Sequence, residues 1–166
     1  AELTIGFTIT GTAARAIAKG GARPGDALIV TKPIGSGTIL AAEMAMAESP
    51  GLLLGEAWAA CIDQMSRSQA SAAAILSPHA HAMTDVTGFG LAGHLLEMLT
   101  ASGTAATIRL DAIPLMEGAV ALAEAGLGSS LHLANLAAVS WQMTAPPGAK
   151  TLLLTDPQTS GGLLAA

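Results

Sequence analysis

Aromatic residues are almost missing from this chain of 166 residues: they make up 2%, with two Trp, two Phe and no Tyr. That removes the stacking platforms on which single-stranded nucleic acids rest. Charge is scarce too, at 11% Asp, Glu, Lys and Arg, which is low for a globular chain. The net charge of −5 opposes binding to a phosphate backbone. A single cysteine, Cys61, excludes a disulfide within the chain. It stands in Trp58-Ala59-Ala60-Cys61-Ile62, an apolar helical context that reads as a buried thiol rather than a nucleophile. No apolar run reaches the ~18 residues a membrane span needs. No basic stretch leads into an apolar one as in a secretory signal. A cytoplasmic setting, without membrane or nucleic-acid partners, is the expectation.

What is abundant is apolar surface, at 51% of residues, and glycine, at 19 positions. This composition suits one domain with a sizeable core and much buried or interface area. Along the chain, strands are predicted over 2–10, 27–31, 81–84, 105–110, 151–154 and from Leu163 onward. Helices are predicted over 13–19, 38–48, 52–65, 69–76, 89–99, 115–125 and 131–139. The strand at 2–10 begins without a turn or cap, as if its partner lay in a preceding domain. The strand from Leu163 is expected outermost, with an unpaired edge. Helices outnumber strands and alternate with them irregularly, which fits a helix-covered sheet of α/β or α+β type.

Two stretches carry chemistry. The first is Met83-Thr84-Asp85-Val86-Thr87-Gly88-Phe89-Gly90-Leu91-Ala92-Gly93-His94. Gly88 and Gly90 permit tight turns and close approach, and the helix behind them aims free N–H groups at an anion. The run matches G-x-G-x-x-G, with Asp111 placed like a ribose-binding acid. Against a dinucleotide, polar residues interrupt the upstream strand, and Asp85 would repel a pyrophosphate. A divalent cation between acid and phosphate removes that conflict, since Mg²⁺ takes one or two carboxylates plus substrate phosphates. An acid capping the helix is the other reading of Asp85, and spacing leaves both open. Leu91, Leu95 and Leu99, with Ala92 and Leu96, form an apolar stripe; Gly90, Gly93, His94 and Glu97 lie opposite. His94 could donate to an anion, but reads first as a packed residue satisfying a carbonyl. His79 and His81 would share a face only in a strand, and lack a third ligand.

The second stretch is Asp156-Pro157-Gln158-Thr159-Ser160-Gly161-Gly162. Thr159 and Ser160 offer hydroxyls, and Gly161-Gly162 offer N–H groups for an anion nest; an ordinary loop is the plain alternative. Lys32 before Gly35-Ser36-Gly37 is a weaker candidate without P-loop spacing, or a solvated turn lysine. No Ser-His-Asp or Cys-His arrangement is evident.

Together, Asp85 to His94 and Asp156 to Leu164 closely resemble the selenophosphate synthetase (selenide, water dikinase) family. Ala22 to Asp26 running into Leu28 to Gly35, Asp111-Ala112-Ile113-Pro114, and Asn135 agree in order. The resemblance implies an α+β domain of layered helix–sheet–helix type, like the C-terminal domain of aminoimidazole ribonucleotide synthetase. It implies formation of selenophosphate, AMP and phosphate from selenide, ATP and water, with Mg²⁺ required, in an enzyme that is typically a homodimer. It implies that Asp85 binds magnesium, and that Thr87, Gly88, Gly90, Thr159, Ser160 and Gly161 line the nucleotide. The family's reactive Cys or Sec and its ATP-contacting Lys belong to an N-terminal ATP-binding domain. Residues 1–10 are thus expected to be a linker or edge strand from that domain. Residues 11–166 are expected to be the C-terminal domain, truncated at its end, inactive alone and without a catalytic residue of its own. Gln69 stands where Asn is usual, and Gly128-Ser129-Ser130 departs from Gly-Gly-Thr. Another ATP-dependent enzyme of the superfamily, or a non-catalytic module for dimerisation or product delivery, are the alternatives.

Overall fold

The computed structural model describes residues 6–13, 15–48 and 54–166. The elements are β1 (Ile29–Val30), α1 (Ser36–Met44), α2 (Leu54–Ser66), α3 (Ala70–Leu76), β2 (Met83–Asp85) and α4 (Gly90–Ser102). A 3₁₀ turn (Leu110–Ala112), α5 (Ala119–Glu124), α6 (His132–Val139), α7 (Ala149–Leu154) and β3 (Leu163–Ala165) follow. The domain is α+β: helices layered about a small antiparallel sheet of order β1-β3-β2. The strand expected outermost is therefore central. Ile29 faces Ala165 on one side of β3, and Met83 faces Ala165 on the other. Leu164 and Ala165 are buried, so the most apolar strand takes the position with two neighbours.

α4 shows why its sequence is helical. Leu91, Leu95 and Met98 are buried on one face, with Ala92 and Leu99 packed beside them. Gly103 closes the helix at φ 63°, a left-handed cap that a residue with a Cβ resists. α4 packs against β2, α6 and α7, while α1 meets α2 and α5, and α5 meets α7.

Five expectations fail locally. Residues 6–10 form no strand, and Phe7 and Ile9 are exposed; residues 2–5 lie outside the described part. Residues 15–19 are not helical; Arg15 is drawn to the Ala80 carbonyl and Lys19 to Glu97, and so short a helix is marginal unaided. Residues 105–109 form no strand; they and β1 line an open groove of about 690 Å³. Residues 151–154, expected as a strand, belong to helix α7: leucine is a good helix former, and the turn buries Leu153 and Leu154. The helix expected from Leu115 starts at Ala119, since Leu115 bridges Ile34 and the Met116 amide donates to the Ile34 carbonyl.

Candidate functional site

The ends of β1 and β2 and the start of β3 share one edge of the sheet, so three loops meet there. The loop before β3 is a polar junction. Gln158 is buried, and its Oε1 accepts from the Gly35 amide at 2.9 Å, the Ser36 amide at 3.2 Å and the Ser36 hydroxyl at 3.1 Å. It thereby caps α1, whose own N-cap is Gly35 and lacks a side chain. Gln158 Nε2 donates to the Asp156 carbonyl at 2.8 Å and to its Oδ2 at 3.0 Å. Thr38 Oγ1 donates to Asp156 Oδ1 at 2.9 Å, and the Thr159 amide donates to Ser36 Oγ at 2.9 Å. Burial raises the Asp156 pKa above its ordinary 3.8, against the lowering pull of the Thr38, Gln158 and Gly37 hydrogen bonds.

Lys32 is neither a phosphate lysine on a glycine loop nor a solvated one. It is 4% exposed and donates to the Ser160 carbonyl at 2.9 Å. Burial, then the charge of Arg67, lowers its pKa. Ser160 is held at φ 49°, a left-handed backbone unusual for a residue with a Cβ, and its hydroxyl donates to the Met65 carbonyl at 2.9 Å. Gly161 is required by contact: a Cβ there would lie 2.0 Å from the Val86 carbonyl oxygen. Thr159 remains exposed.

The loop between β2 and α4 has the opposite character. Asp85 is exposed, and among the described residues no hydrogen bond or ion pair engages its carboxylate. It is not the helix cap; that position is Phe89, with no side-chain cap bond. A Cβ on Gly88 would meet nothing within 4 Å. Gly90, at φ 70°, is buried because the Leu154 carbonyl oxygen and the Asp156 carbonyl oxygen crowd the space a Cβ would need. The loop is fixed from behind. Thr87 O accepts from the Gly90 and Gln158 amides, the Val86 amide donates to Gly162 O at 2.8 Å, and Asn135 Nδ2 donates to Gly88 O at 2.8 Å. His94 is buried with Nε2 3.2 Å from Thr87 Oγ1, so its partner is a hydroxyl rather than the expected carbonyl.

The structure thus brings both sequence stretches into contact. Of the predicted residues, Asp85, Gly88, Thr159 and Ser160 are exposed and Thr87 and Gly161 half-buried, whereas Gly90 is buried; the Ser160 hydroxyl is nevertheless tied to the Met65 carbonyl, and Gly161 abuts the Val86 carbonyl. Sequence reasoning misses the roles of Gln158, Ser36, Thr38 and Thr31: Ser36 meets Gln158 across 122 residues, Thr38 meets Asp156 across 118 and Thr31 meets Gln69 across 38, so no local pattern marks them. Thr31 Oγ1 donates to Gln69 and accepts from the Leu163 amide, which gives Gln69 a structural task.

The remaining candidates separate from the site. The strand that leads into the G-x-G-x-x-G match, β2, pairs antiparallel with β3, so the match is not a dinucleotide βαβ unit. Asp111 is exposed and paired with Lys150. His81 Nδ1 lies 3.0 Å from both Asp26 oxygens, and among the described residues no group of three or more His, Cys, Asp or Glu could hold a metal. Cys61 is buried; burial, then the charge of Asp156, raises its pKa, which suppresses the thiolate. No helix among the described residues is long and apolar enough to cross a membrane.

Residues 23–166 match the family described as AIR synthase related protein, C-terminal domain. A selenide, water dikinase of Geobacter metallireducens is 42% identical over 172 aligned positions, which cover 98% of this chain and 48% of the relative. One from Rhizobium meliloti is 45% identical over 150 positions, covering 89% and 42%. One from Myxococcus xanthus is 37% identical over 173 positions, covering 99% and 48%. The chain spans about half the length of the curated relatives it matches.

Proposed function

The chain belongs to the family of AIR synthase related proteins, as their C-terminal domain, and we propose that it is the C-terminal half of a selenide, water dikinase. In this reading the whole enzyme, a cytoplasmic homodimer, converts selenide, ATP and water to selenophosphate, AMP and phosphate. An N-terminal ATP-binding domain supplies the reactive Cys or Sec, and residues 1–10 lead from it into this domain. The relatives' name and their doubled length support the reading. The single observation that carries the site is the direct contact of the two loops, with Gly161 against the Val86 carbonyl and the Gln158 amide on the Thr87 carbonyl.

Asp85 suits one magnesium position. It is a hard oxygen donor, exposed and without a partner among the described residues, and Mg²⁺ usually keeps several waters beside one or two carboxylates and substrate phosphates. When bound, the ion offsets charge on the transferring phosphates. Thr87, Gly88 and Thr159 border the nucleotide, the glycine leaving room for close approach. Gly90, Ser160 and Gly161 serve the same site by fixing the two loops. In the full-length enzyme, Asp85→Asn is expected to lower selenide-dependent AMP release at least ~10-fold and to shift the magnesium titration upward. An unchanged titration refutes the ligand assignment. Residues 1–166 alone are expected to show no turnover, and robust turnover refutes the division of labour.

A further inference from the structure

We propose that His94 positions the Thr87 hydroxyl as an acceptor facing the loop's ligand, and that Glu97 fixes the imidazole tautomer that makes it so. This rests on reading the loop after Asp85 as a magnesium–phosphate corner. His94 is 5% exposed, on the second turn of α4. Its Nε2 is 3.2 Å from Thr87 Oγ1. Among the described residues its Nδ1 is buried without a hydrogen bond, and the Glu97 Oε2 carboxylate oxygen lies 3.4 Å away, three residues on. That carboxylate is anchored in turn by Lys19 Nζ at 2.7 Å.

A neutral imidazole carries one N–H, and an ionised carboxylate can only accept. Glu97 therefore favours the proton on Nδ1, which leaves Nε2 as acceptor. The Thr87 hydroxyl must then donate to Nε2. Its remaining lone pairs turn away from His94, available to a metal-bound water or another donor. The opposite tautomer would make Thr87 a donor toward phosphate oxygen. The Thr87 backbone cannot rotate to compensate, because its carbonyl already accepts from Gly90 and Gln158. The order hydroxyl–imidazole–carboxylate is that of a hydrolase relay, used here to aim a hydroxyl rather than to strip its proton.

The test has two arms. In the chain labelled with ¹⁵N-histidine, which has four His, the His94 Nε2 resonance is expected to read as unprotonated and Nδ1 as protonated. Glu97→Leu is expected to reverse the assignment. A protonated Nε2 in the unmodified chain overturns the proposal. In the full-length enzyme, Thr87→Val and His94→Leu are each expected to cost ~10-fold or more in kcat/KM for ATP. The double variant is expected to be no worse than Thr87→Val alone, because both remove one interaction. His94→Gln, which keeps an acceptor near the Nε2 position, is expected to restore most of the loss and controls for misfolding. Multiplied losses in the double variant, or no rescue by Gln, overturn the proposal. If the unmodified enzyme releases no AMP, the functional reading fails, and the NMR arm still decides the tautomer.

Discussion

The loop at 85–90 and the loop at 156–162 are equally rich in turn formers and do opposite work. In the later loop, Gln158, Asp156 and Ser160 turn their polar atoms inward to Gly35, Ser36, Thr38 and Met65. In the earlier loop, Asp85 has no partner for its carboxylate among the described residues, and Gly88 borders open space. A polar loop most of whose groups are engaged is a joint. One that keeps a carboxylate and a bare backbone free can receive a ligand.

The comparison is broken most severely at Gly161. Gly161→Ala puts a methyl into the Val86 carbonyl and is expected to destabilise the fold by about 3 kcal/mol or more, read from urea unfolding. A loss below about 1 kcal/mol would mean that the two loops are not locked together. Gln158→Leu comes next: it leaves the Gly35 and Ser36 amides without their acceptor, and about 2 kcal/mol is expected.

A smaller effect is expected from Asp156, through pH. Burial raises its pKa in the native state above 3.8, so the native state holds the proton more tightly than the unfolded chain. That contribution is complete below 3.8 and is lost as pH rises through the native value. The unfolding free energy of the unmodified chain is therefore expected to decline over this window relative to Asp156→Asn. Parallel pH curves would show that Asp156 is not buried as an acid. The smallest effect is expected at Gly88. Gly88→Ala meets no neighbour and should change stability by less than about 0.5 kcal/mol, while still impairing the full-length enzyme. Equal stability losses at Gly88 and Gly161 would erase the distinction between the loops.

Much of this was legible in the residues. Periodicity and caps located α2, α3, α4 and α6 to within a few residues, because each has a local apolar stripe or a terminating glycine or proline. Helix α7 is not legible because Thr151-Leu152-Leu153-Leu154 is too short for a period to show. The stretch 105–109 reads as a strand from its alternation, but alternation signals a half-buried face, not a strand partner within reach. At the site, Asp85 and the glycines announced themselves, but the direction of each group did not. Which of Thr159, Ser160 and Gly161 faces outward depends on Lys32, Ser36 and Met65, whose proximity no local pattern encodes.

The central position of β3 has a consequence for assembly in time. Its partners at Ile29–Val30 and Met83–Asp85 are made long before Leu163–Ala165. During synthesis both wait without the strand that joins them. Closing such long loops adds little to the free energy, since each doubling of length costs only ~0.6 kcal/mol, but distant pairings slow the search. The loop at 156–162 emerges immediately before β3, so sheet closure and the docking of the two loops coincide. The ligand-facing loops come together only once β3 has emerged, so a nascent chain short of β3 has no half-formed site to fill prematurely.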